Sequence, residues 1–587
     1  MAKDEATVDP EMAGCTCSSR VRTGGTGTGC LAAWWIRLAR ALGAVLLVAV
    51  SWTFLVLPAI GFALGSKPTP DLAYPIELRS GCRLERIGET WHCHLAGSAL
   101  ERGYACGRLT APIMARHEEE LFTTLEELVP SFWFRHVVLG LVTGNNRRLD
   151  SFLLEDELLA IAGIARGYRD AGDPNATVAP TYTRVLGYHA LHDASQYLID
   201  NPLVNAPPVG CSALAVDGER TSDGHLLVGR LFDFEGGRSF DADKVVYTVD
   251  PGEGGLRFVN VAWGGVHGAV TGMNEAGLWI SMNAGVSDRL AHEGRPLVVA
   301  AQRALETCAT IDAAIGHLTS SPVFVSESVL IASARAAAGE PYAVALELAP
   351  GKHRVRPIVE HELALTNHFL HPDWADDEAN RLRQAEGTTQ ARYARLRELL
   401  AGAEPHTPAT LCELLRDRRG AAGRDLGFGH RSSINAWIGS HLVVADLTAG
   451  LLWVAEPAHG LGRASAFDVN GPRPDVEALP ASIDLELYRR YGRTWKRDLE
   501  RARRLAAARD PAAEVACRRL IEVNPQHYEP YALLARVVAS GEEQRALLEA
   551  SLERSPAYAS EARDARRRLA ELVGGSDEAT RGGVGGE

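Results

Sequence analysis

Positive charge is scarce in this chain of 587 residues. Lysine and arginine total 61 against 74 aspartates and glutamates, so the formal net charge is −13. Proteins that bind nucleic acid usually present a basic patch, and we therefore expect no nucleic-acid partner. The length exceeds what one ordinary core accommodates, which predicts two or three domains.

Cysteine is also sparse, and its spacing excludes a zinc framework. The ten cysteines include one C-x-C near the N-terminus, with no second pair at zinc-finger spacing. Cys82 and Cys93 flank a short turn, which suits a disulfide in an oxidising compartment. His189, His192 and Asp193 share a helical stretch, but no other group of candidate metal ligands accompanies them. The sequence therefore indicates neither a metal nor an organic cofactor.

Charge is absent altogether from residues 41–65. The run ALGAVLLVAVSWTFLVLPAIGFALG is long enough to cross a bilayer, which takes about 20 apolar residues. Four arginines precede it, and by the positive-inside rule the N-terminus stays cytoplasmic. The alternatives are a cleaved signal peptide, whose apolar core is usually shorter, and a buried helix. We expect a single-pass anchor in the inner (cytoplasmic) membrane, with the bulk of the chain extracytoplasmic.

Changes in periodicity divide the chain. The predicted parts are a disordered cytoplasmic tail at 1–30, the transmembrane anchor at 31–65, a mostly helical segment at 66–210, a strand-rich domain at 211–480, a helical segment at 485–575 and a disordered tail at 576–587. The strand-rich part reads as hairpins, then helices, strands, more helix and final strands, among them SSINAWIGS. This order predicts an α+β fold in which two antiparallel sheets pack face to face with helices outside.

The helical segment 485–575 contains an internal sequence repeat. NPQHYEPYALLARV and SPAYASEARDARRRLAEL lie roughly one tetratricopeptide period apart. Fewer than three such units cannot bury a continuous core alone. We expect this segment to dock on the preceding domain or to recruit a protein partner, and a plain helical cap is the alternative.

Gly210–Cys211 closes the loop NPLVNAPPVG and opens the strand-like run CSALAV. If the peptide bond before Cys211 breaks, this residue becomes a chain terminus that carries its own base. An α-amino group has an unperturbed pKa of about 7.7–8.0, close to the value wanted for a general base at neutral pH. Activation by an N-terminal amine is an alternative to Ser–His pairing. A buried structural cysteine is the competing interpretation.

Arg230 and Asp233 end the next predicted strand, in GRLFDF. Neighbouring antiparallel strands would bring this end close to Cys211. An aspartate there can accept a hydrogen bond from the new amine, and an arginine can lower the pKa of the thiol. A surface ion pair on a hairpin is the alternative.

Two asparagines and a late arginine complete the candidate set. Asn283 follows GMNEAGLWISM and can donate to a developing oxyanion. Asn367 lies in ALTNHF, where a strand ends, and Arg431 opens RSSINAWI as a strand entry. Each of the three, taken alone, also suits a purely structural role.

The motifs GCSALAV, GRLFDF, GMNEAGLWISMNAG, LTNHF and HRSSINAWI occur in this order. Together they resemble the acyl-coenzyme A:6-aminopenicillanic acid acyltransferase family (isopenicillin N acyltransferase-like). They also resemble its relatives, the choloylglycine hydrolases and acid ceramidase-like enzymes, all N-terminal nucleophile hydrolases. The similarity covers about residues 90–460, and it implies the four-layer αββα sandwich of that fold.

The resemblance also implies roles. They are Cys211 as nucleophile, Gly210–Cys211 as the self-cleavage junction, Arg230 and Asp233 around the amine and thiol, Asn283 at the oxyanion, Asn367 as a second active-site asparagine, and Arg431 in processing. The implied activity is that of a self-processing cysteine hydrolase or acyltransferase. It acts on the carbon–nitrogen amide bond of a small N-acyl compound through a thioester.

Two other interpretations remain open at this point. One is a papain-like thiol hydrolase that pairs Cys211 with His368 or His430, which predicts a helix starting at the cysteine. The other is a non-catalytic, membrane-anchored scaffold that works through its helical tail.

Overall fold

A computed structural model describes residues 42–68, 70, 72, 76–129, 131–193, 196, 210–336, 342–402, 404–471 and 473–581. The predicted tail at 1–30 lies outside these residues, as does the end of the one predicted at 576–587. The chain divides into two compact units, Met1–Leu57 and Pro58–Glu587. In the first unit, the described residues form helix, with a π-helical turn at Trp52–Val56.

One helix, Leu42–Ala63, is long and apolar enough to cross a membrane. Its length and composition agree with the predicted anchor. Its last part belongs to the second unit, within the α-helical stretch Leu57–Gly65, which we call α1.

The second unit contains fifteen strands in the described residues. They are β1 Arg83–Ile87, β2 Thr90–Ala96, β3 Ser212–Gly218, β4 Gly224–Asp233, β5 Val245–Asp250, β6 Phe258–Ala262, β7 Thr271–Asn274, β8 Leu278–Ala284, β9 Glu327–Ser333, β10 Ala343–Ala349, β11 Lys352–Pro357, β12 Glu362–Leu365, β13 Gly439–Asp446, β14 Leu451–Ala455 and β15 Ala464–Asp468. They form a nine-stranded sheet, β1-β2-β5-β6-β7-β8-β9-β10-β11, and a six-stranded sheet, β12-β3-β4-β13-β14-β15.

The α-helices that follow α1 are numbered in chain order. They are α2 Ala99–Leu109, α3 Ala111–Leu128, α4 Phe132–Asn145, α5 Glu155–Asp170, α6 Thr181–His189, α7 Ser239–Ala242, α8 Leu297–Thr307, α9 Ile311–Thr319, α10 Glu378–Glu386, α11 Thr389–Leu400, α12 Pro408–Leu415, α13 Leu485–Leu487, α14 Arg493–Ala507, α15 Ala512–Val523, α16 Glu529–Leu534, α17 Gly541–Glu553 and α18 Ala559–Arg581.

The two sheets pack face to face through alternate residues of their strands. Ala213, Ala215 and Val228 of the six-stranded sheet share one buried cluster with Val246 and Val259 of the nine-stranded sheet. Successive strand residues point to opposite faces, so the residues between them face outward into helices. The apolar layer beyond each sheet is buried rather than solvated, as the strands' near-continuous burial shows.

Helices cover both outer faces. Leu214 and Leu227 pack with Leu396 and Leu411 of α11 and α12, and the outer face of the nine-stranded sheet packs against α2, α8 and α9. The layers therefore run helix, sheet, sheet, helix, which is the α+β order predicted from the sequence. All strand neighbours are antiparallel except β2 and β5, which are parallel.

The segment 66–210, predicted as mostly helical, also supplies β1 and β2. Because β2 pairs with β5, these strands extend the sheet formed after Gly210. The predicted Cys82–Cys93 disulfide is wrong, since both thiols are free and buried. The hairpin register sets Cys93 opposite Leu84, and the Cys82 sulfur lies 3.7 Å from the carbonyl oxygen of Ala96.

The strand predicted over SSINAWIGS is also wrong at its start. Residues 432–438 form a loop, and β13 begins only at Gly439. Asn435 holds this loop because its side chain accepts from Trp437 N at 2.9 Å and donates to the His459 carbonyl at 2.9 Å. Trp437 has a φ of 58°, a left-handed conformation that a strand does not accommodate.

The helices α13 to α18 form the C-terminal segment, which is helical as predicted. Its core includes Trp495 and Leu499, and it is shared with Phe428, Trp437 and Leu461 of the preceding domain. The segment is therefore docked by a common hydrophobic cluster.

Candidate active site

Cys211 lies immediately before β3, in the position predicted from the sequence. β3 and β4 form an antiparallel hairpin in which Ala213 faces Arg230 and Ser212 faces Leu231. The end of β4, with Asp233, is therefore next to the cysteine. A papain-like arrangement needs a helix here, whereas Cys211 leads into a strand.

Neither histidine of the papain-like alternative is bonded to the thiol. The His368 ring nitrogen Nδ1 bonds to Thr389 Oγ1 at 2.8 Å, and His430 Nε2 lies 3.0 Å from the carbonyl oxygen of Ser555. Each ring thus has a hydrogen bond to a group other than the thiol, although His368 Nε2 is buried without a partner.

The Cys211 thiol is buried, with 1% of the residue exposed. Its sulfur lies 4.0 Å from Arg230 Nη2 and 4.0 Å from the carbonyl oxygen of Asp233. Burial raises the pKa of the thiol, and the nearby Arg230 charge opposes that rise. The thiol is therefore protonated at neutral pH.

Arg230 is fully buried at the centre of a polar network. Nη1 donates to Thr271 Oγ1 at 2.6 Å, Nε donates to Asn283 Oδ1 at 3.3 Å, and Nη2 donates to the carbonyl of Met282. Its guanidinium also lies 4.3 Å from the centre of the Phe232 ring. Burial lowers the pKa of Arg230 to about 10, which leaves the side chain charged at neutral pH.

Asp233 lies against the backbone of Gly210. A Cβ built on Gly210 would stand 2.9 Å from Asp233 Oδ2, and Oδ1 has no hydrogen-bond partner. Burial raises the pKa of Asp233 to about 8, although Arg392 and Arg431 lower it. One oxygen of this carboxyl group therefore lies beside Gly210, and the other is buried without a hydrogen-bond partner.

Asn283 lies near the end of β8. One of its side-chain polar atoms is hydrogen-bonded and the other is not. Its Oδ1 accepts from Arg230, whereas its Nδ2 is buried and has no hydrogen-bond partner. An unpaired buried donor costs about 1–3 kcal/mol. The amide is held in one orientation with its N–H groups available.

Asn367 is connected to Cys211 through a residue that the sequence interpretation missed. Arg392, on α11, donates from Nη1 to the carbonyl of Cys211 at 2.6 Å and from Nη2 to Asn367 Oδ1 at 2.7 Å. Asn367 Nδ2 in turn donates to the carbonyl of Ala284 at 2.9 Å. Arg392 therefore ties the start of β3 to the ends of β12 and β8.

A signal for Arg392 exists in the sequence. It precedes Leu396 and Leu400 at intervals of four residues, so it falls on the apolar stripe of α11. A charged residue in such a stripe is buried only when it is paired.

Arg431 is the predicted site residue that the structure does not bring to the thiol. It lies in the loop before β13 and pairs with Glu235, which also bonds Lys496 Nζ at 2.5 Å. Its positive charge still lowers the pKa of Asp233. Arg431 thus borders the site and links it to α14.

An apolar cavity of about 40 Å³ lies on the Phe232 side of the site. Its lining is dominated by aromatic and aliphatic side chains, among them Phe232, Phe234, Phe240, Trp263 and Val270. Helices α3 and α6 close it, with Met114, Leu121 and Tyr188. The cavity can accept an apolar group next to the thiol network.

Three groups in the described residues could hold a metal ion by distance. They are Glu85, His92 and His94; His192, Asp193 and Glu327; and Asp223, His225 and Asp446. In the fully buried group, His192 pairs with Glu327 at 2.8 Å and Asp193 accepts from Leu297 N at 2.9 Å. His189 is separate, since its Nε2 accepts from His267 N.

The site is a thiol network at the start of a central strand of a four-layer sandwich. A family model described as "Acyl-coenzyme A:6-aminopenicillanic acid acyl-transferase" matches residues 220–425 of this chain. This match confirms the resemblance that the sequence motifs indicate. Cys211 precedes the matched residues and Arg431 follows them.

Single relatives are more distant. An uncharacterized protein of Archaeoglobus fulgidus is 29% identical over 202 residues, which is 32% of this chain and 32% of that protein. The chain thus matches about a third of that relative's length.

The similar solved structures include two with a TM-score of 0.30. An N-acylethanolamine-hydrolyzing acid amidase ortholog of Caenorhabditis elegans is 15% identical and covers 40% of this chain and 93% of its own. A penicillin V acylase from Agrobacterium tumefaciens is 16% identical and covers 44% of this chain and 86% of its own.

Proposed function

We propose that this protein is a self-processing cysteine hydrolase or acyltransferase that acts on the carbon–nitrogen amide bond of N-acyl compounds. One observation carries the proposal. The buried thiol of Cys211 lies within 4.0 Å of Arg230, while the free carboxyl oxygen of Asp233 belongs to a group packed against Gly210. The family match over residues 220–425 supports the same class of chemistry.

Self-cleavage is the first step of the proposed mechanism. The Cys211 thiol loses its proton to a base as the sulfur attacks the carbonyl carbon of Gly210. The carbon–nitrogen bond then breaks, and the nitrogen leaves with a proton as the α-amine of Cys211. Water hydrolyses the resulting thioester, which frees the Gly210 carboxylate and returns the thiol. Asp233, whose carboxyl group lies against Gly210, serves the proton transfers and then accepts a hydrogen bond from the new ammonium.

Turnover uses the same groups on a substrate. The α-amine takes the thiol proton, and the sulfur attacks the amide carbon of the substrate. Asn283 Nδ2 donates to the oxyanion, because Arg230 holds the other end of that amide. The leaving amine takes the proton, and water or an acceptor amine then resolves the thioester.

Arg392 and Asn367 act as positioning residues in this proposal. They fix the carbonyl of Cys211 and the end of β8, so the thiol and the Asn283 amide keep their relative placement. The acyl group of the substrate occupies the aromatic cavity beside Phe232.

We also propose that the chain is anchored by Leu42–Ala63 in the inner membrane, with the sandwich outside the cytoplasm. The C-terminal segment is proposed to act as a tetratricopeptide-like docking unit. Its shared core with Phe428 and Trp437 supports an accessory role rather than a separate scaffold.

The test is amide hydrolysis by the purified chain, screened over N-acyl amino acids and other N-acyl amides. Cys211→Ala should abolish activity, whereas Cys211→Ser should retain a small part of it. Cys412→Ala is the matched control, because Cys412 is an equally buried free cysteine in α12. Activity that survives in Cys211→Ala would refute the proposal.

A further inference from the structure

The helix α4 exposes three consecutive aromatic residues. Phe132, Trp133 and Phe134 are 61%, 55% and 38% exposed. The helix sequence FWFRHVVLGLVTGN carries one arginine and no acidic residue. In the part of the chain that the structure describes, the Phe132 ring contacts Trp133 and His136 of its own helix and stays open to the outside. A large exposed aromatic turn of this kind marks an interaction surface.

The same helix packs against α1 at backbone distance. A Cβ on Gly140 would stand 2.5 Å from Pro58 Cα, and one on Gly144 would stand 3.0 Å from Gly61 Cα. A Cβ on Gly61 or Gly65 would overlap the carbonyl groups of Gly140 or Thr143. Both helices thus contribute a Gly-x-x-x-Gly pair, which lets two helices approach closely.

The glycines alone do not identify a bilayer. Inside the domain, α2 and α5 meet through the same spacing, with Gly103 and Gly107 against Ala160 and Ile164. Two features distinguish α4: its exposed aromatic turn and its packing against α1. α1 contains the last part of Leu42–Ala63, the helix that is long and apolar enough to cross a membrane.

The α1–α4 pair has a polar end and an apolar end. Pro58 lies level with Gly140 and Gly65 lies level with Thr143, so the two helices run in the same direction. Polar contacts follow at the Gly65 end, where Lys67 pairs with Asp150 and its backbone bonds the Thr183 hydroxyl. The aromatic turn of α4 lies at the opposite, apolar end.

We propose that α4 is a membrane-docking surface, with Phe132–Phe134 inserted in the lipid bilayer. The partner is the lipid bilayer itself, because α4 packs against α1, and α1 contains the last part of a helix that has the length and composition to span a bilayer. Aromatic side chains concentrate at membrane–water interfaces, and an apolar helix face lies in that layer. This inference rests on the proposed anchor.

The experiment uses the full chain reconstituted in phosphatidylcholine vesicles. An environment-sensitive fluorescent amino acid replaces Trp133 in one sample and Val515 in the other. Val515 is the matched control because it is 74% exposed on α15, in the C-terminal segment. Lipid with a doxyl quencher on its acyl chains should reduce emission at position 133 by about twofold and leave position 515 unchanged, as expected for a residue in the interfacial layer.

Vesicle flotation tests the membrane anchor separately from the docking of α4. A chain that floats with the vesicles but shows no quenching at position 133 overturns the docking of α4 and leaves the anchor standing. A chain that does not float overturns both.

Glycine variants test whether the α1 contact holds α4 in place. Gly61→Ala should weaken the quenching at position 133, because the added methyl group has no space against Gly140. Gly43→Ala is the control in the same apolar helix, since a Cβ there meets nothing within 4 Å. Equal quenching in both variants would contradict the role of the glycine contact.

Discussion

Arg392 holds the carbonyl oxygen of Cys211, with Nη1 at 2.6 Å from that oxygen. The same guanidinium reaches Asn367 on the far side, at 2.7 Å. Cys211 is therefore restrained through its carbonyl group, which takes no part in the proposed self-cleavage. In the proposed mechanism, this restraint leaves the thiol and the Gly210–Cys211 bond free to react while β3 stays in register.

Replacing Arg392 with lysine should slow both self-cleavage and turnover. A lysine keeps the charge but lacks the planar fork that reaches two acceptors at once. We expect a loss of about tenfold to a hundredfold in the rate of each step, which corresponds to about 1.4–2.7 kcal/mol. Self-cleavage is followed by gel electrophoresis over time and turnover by amide hydrolysis. Arg397→Lys is the control on the same helix, because Arg397 is 47% exposed and lies 4.0 Å from Glu362. Equal behaviour of the two variants would contradict the positioning role.

Replacing Asn283 with aspartate should reduce kcat with little change in KM. The variant keeps the shape of the side chain and the acceptor for Arg230, but it removes the free Nδ2 donor. Loss of one oxyanion donor costs about a hundredfold to a thousandfold in kcat. Steady-state kinetics on the matured variant measure the effect, and its thermal unfolding midpoint controls for folding. A rise in KM at unchanged kcat would show that Asn283 binds the ground state instead.

The sequence predicted much of this site because its main residues follow from strand geometry. Cys211, Arg230 and Asp233 come from one hairpin, and the alternation of CSALAV and HLLVGRLF sets their register. Arg392 was missed because its partners are backbone and amide groups more than 20 residues away along the chain. Packing of α11 on the sheet creates that contact, and a local pattern does not encode it.

The errors have a similar cause. Arg431 was expected at a strand entry, but the left-handed Trp437 and the Asn435 side chain hold residues 432–438 in a loop before β13. The Cys82–Cys93 bridge was expected from spacing, and the hairpin register separates the two thiols. Both depend on turn and register details that apolar alternation does not determine.

The buried carboxyl of Asp233 should make the uncut protein less stable as the pH rises. Burial raises its pKa to about 8 in the folded chain, against about 3.9 when unfolded. Between these values the folded state holds more protons than the unfolded state, so the free energy of unfolding falls as pH increases. The loss of stability caused by ionising the buried Asp233 carboxyl is absent below about pH 4 and complete above about pH 8.

Cys211→Ala provides the uncut background for this measurement. Its thermal unfolding midpoint should fall between pH 4 and pH 8 more steeply than that of Cys211→Ala combined with Asp233→Asn. The difference between the two curves isolates Asp233 from other titrating groups. Parallel curves would show that the carboxyl is ionised in the folded, uncut chain.

The C-terminal segment should stabilise the sandwich through Asn524. Its Nδ2 donates to the carbonyl of Phe428 at 2.9 Å, and its Oδ1 accepts from Phe428 N at 3.3 Å. Asn524→Ala leaves these buried groups unpaired, at about 1–3 kcal/mol for each. We expect a lower unfolding midpoint and faster proteolysis after residue 485.

Asn470→Ala is the comparison, because Asn470 is exposed and its hydrogen bonds to Arg257 and Asp468 use backbone atoms that the substitution keeps. Unchanged stability in Asn524→Ala would indicate that the helical segment is loosely attached and free to recruit a partner.

The most direct test of the central claim is the N-terminal sequence of the fragments in purified, active protein, together with their intact masses. The proposed mechanism predicts two chains, one ending at Gly210 and one beginning Cys211-Ser212-Ala213, with Cys211→Ala remaining a single chain. A single uncut chain that hydrolyses N-acyl amides would contradict it.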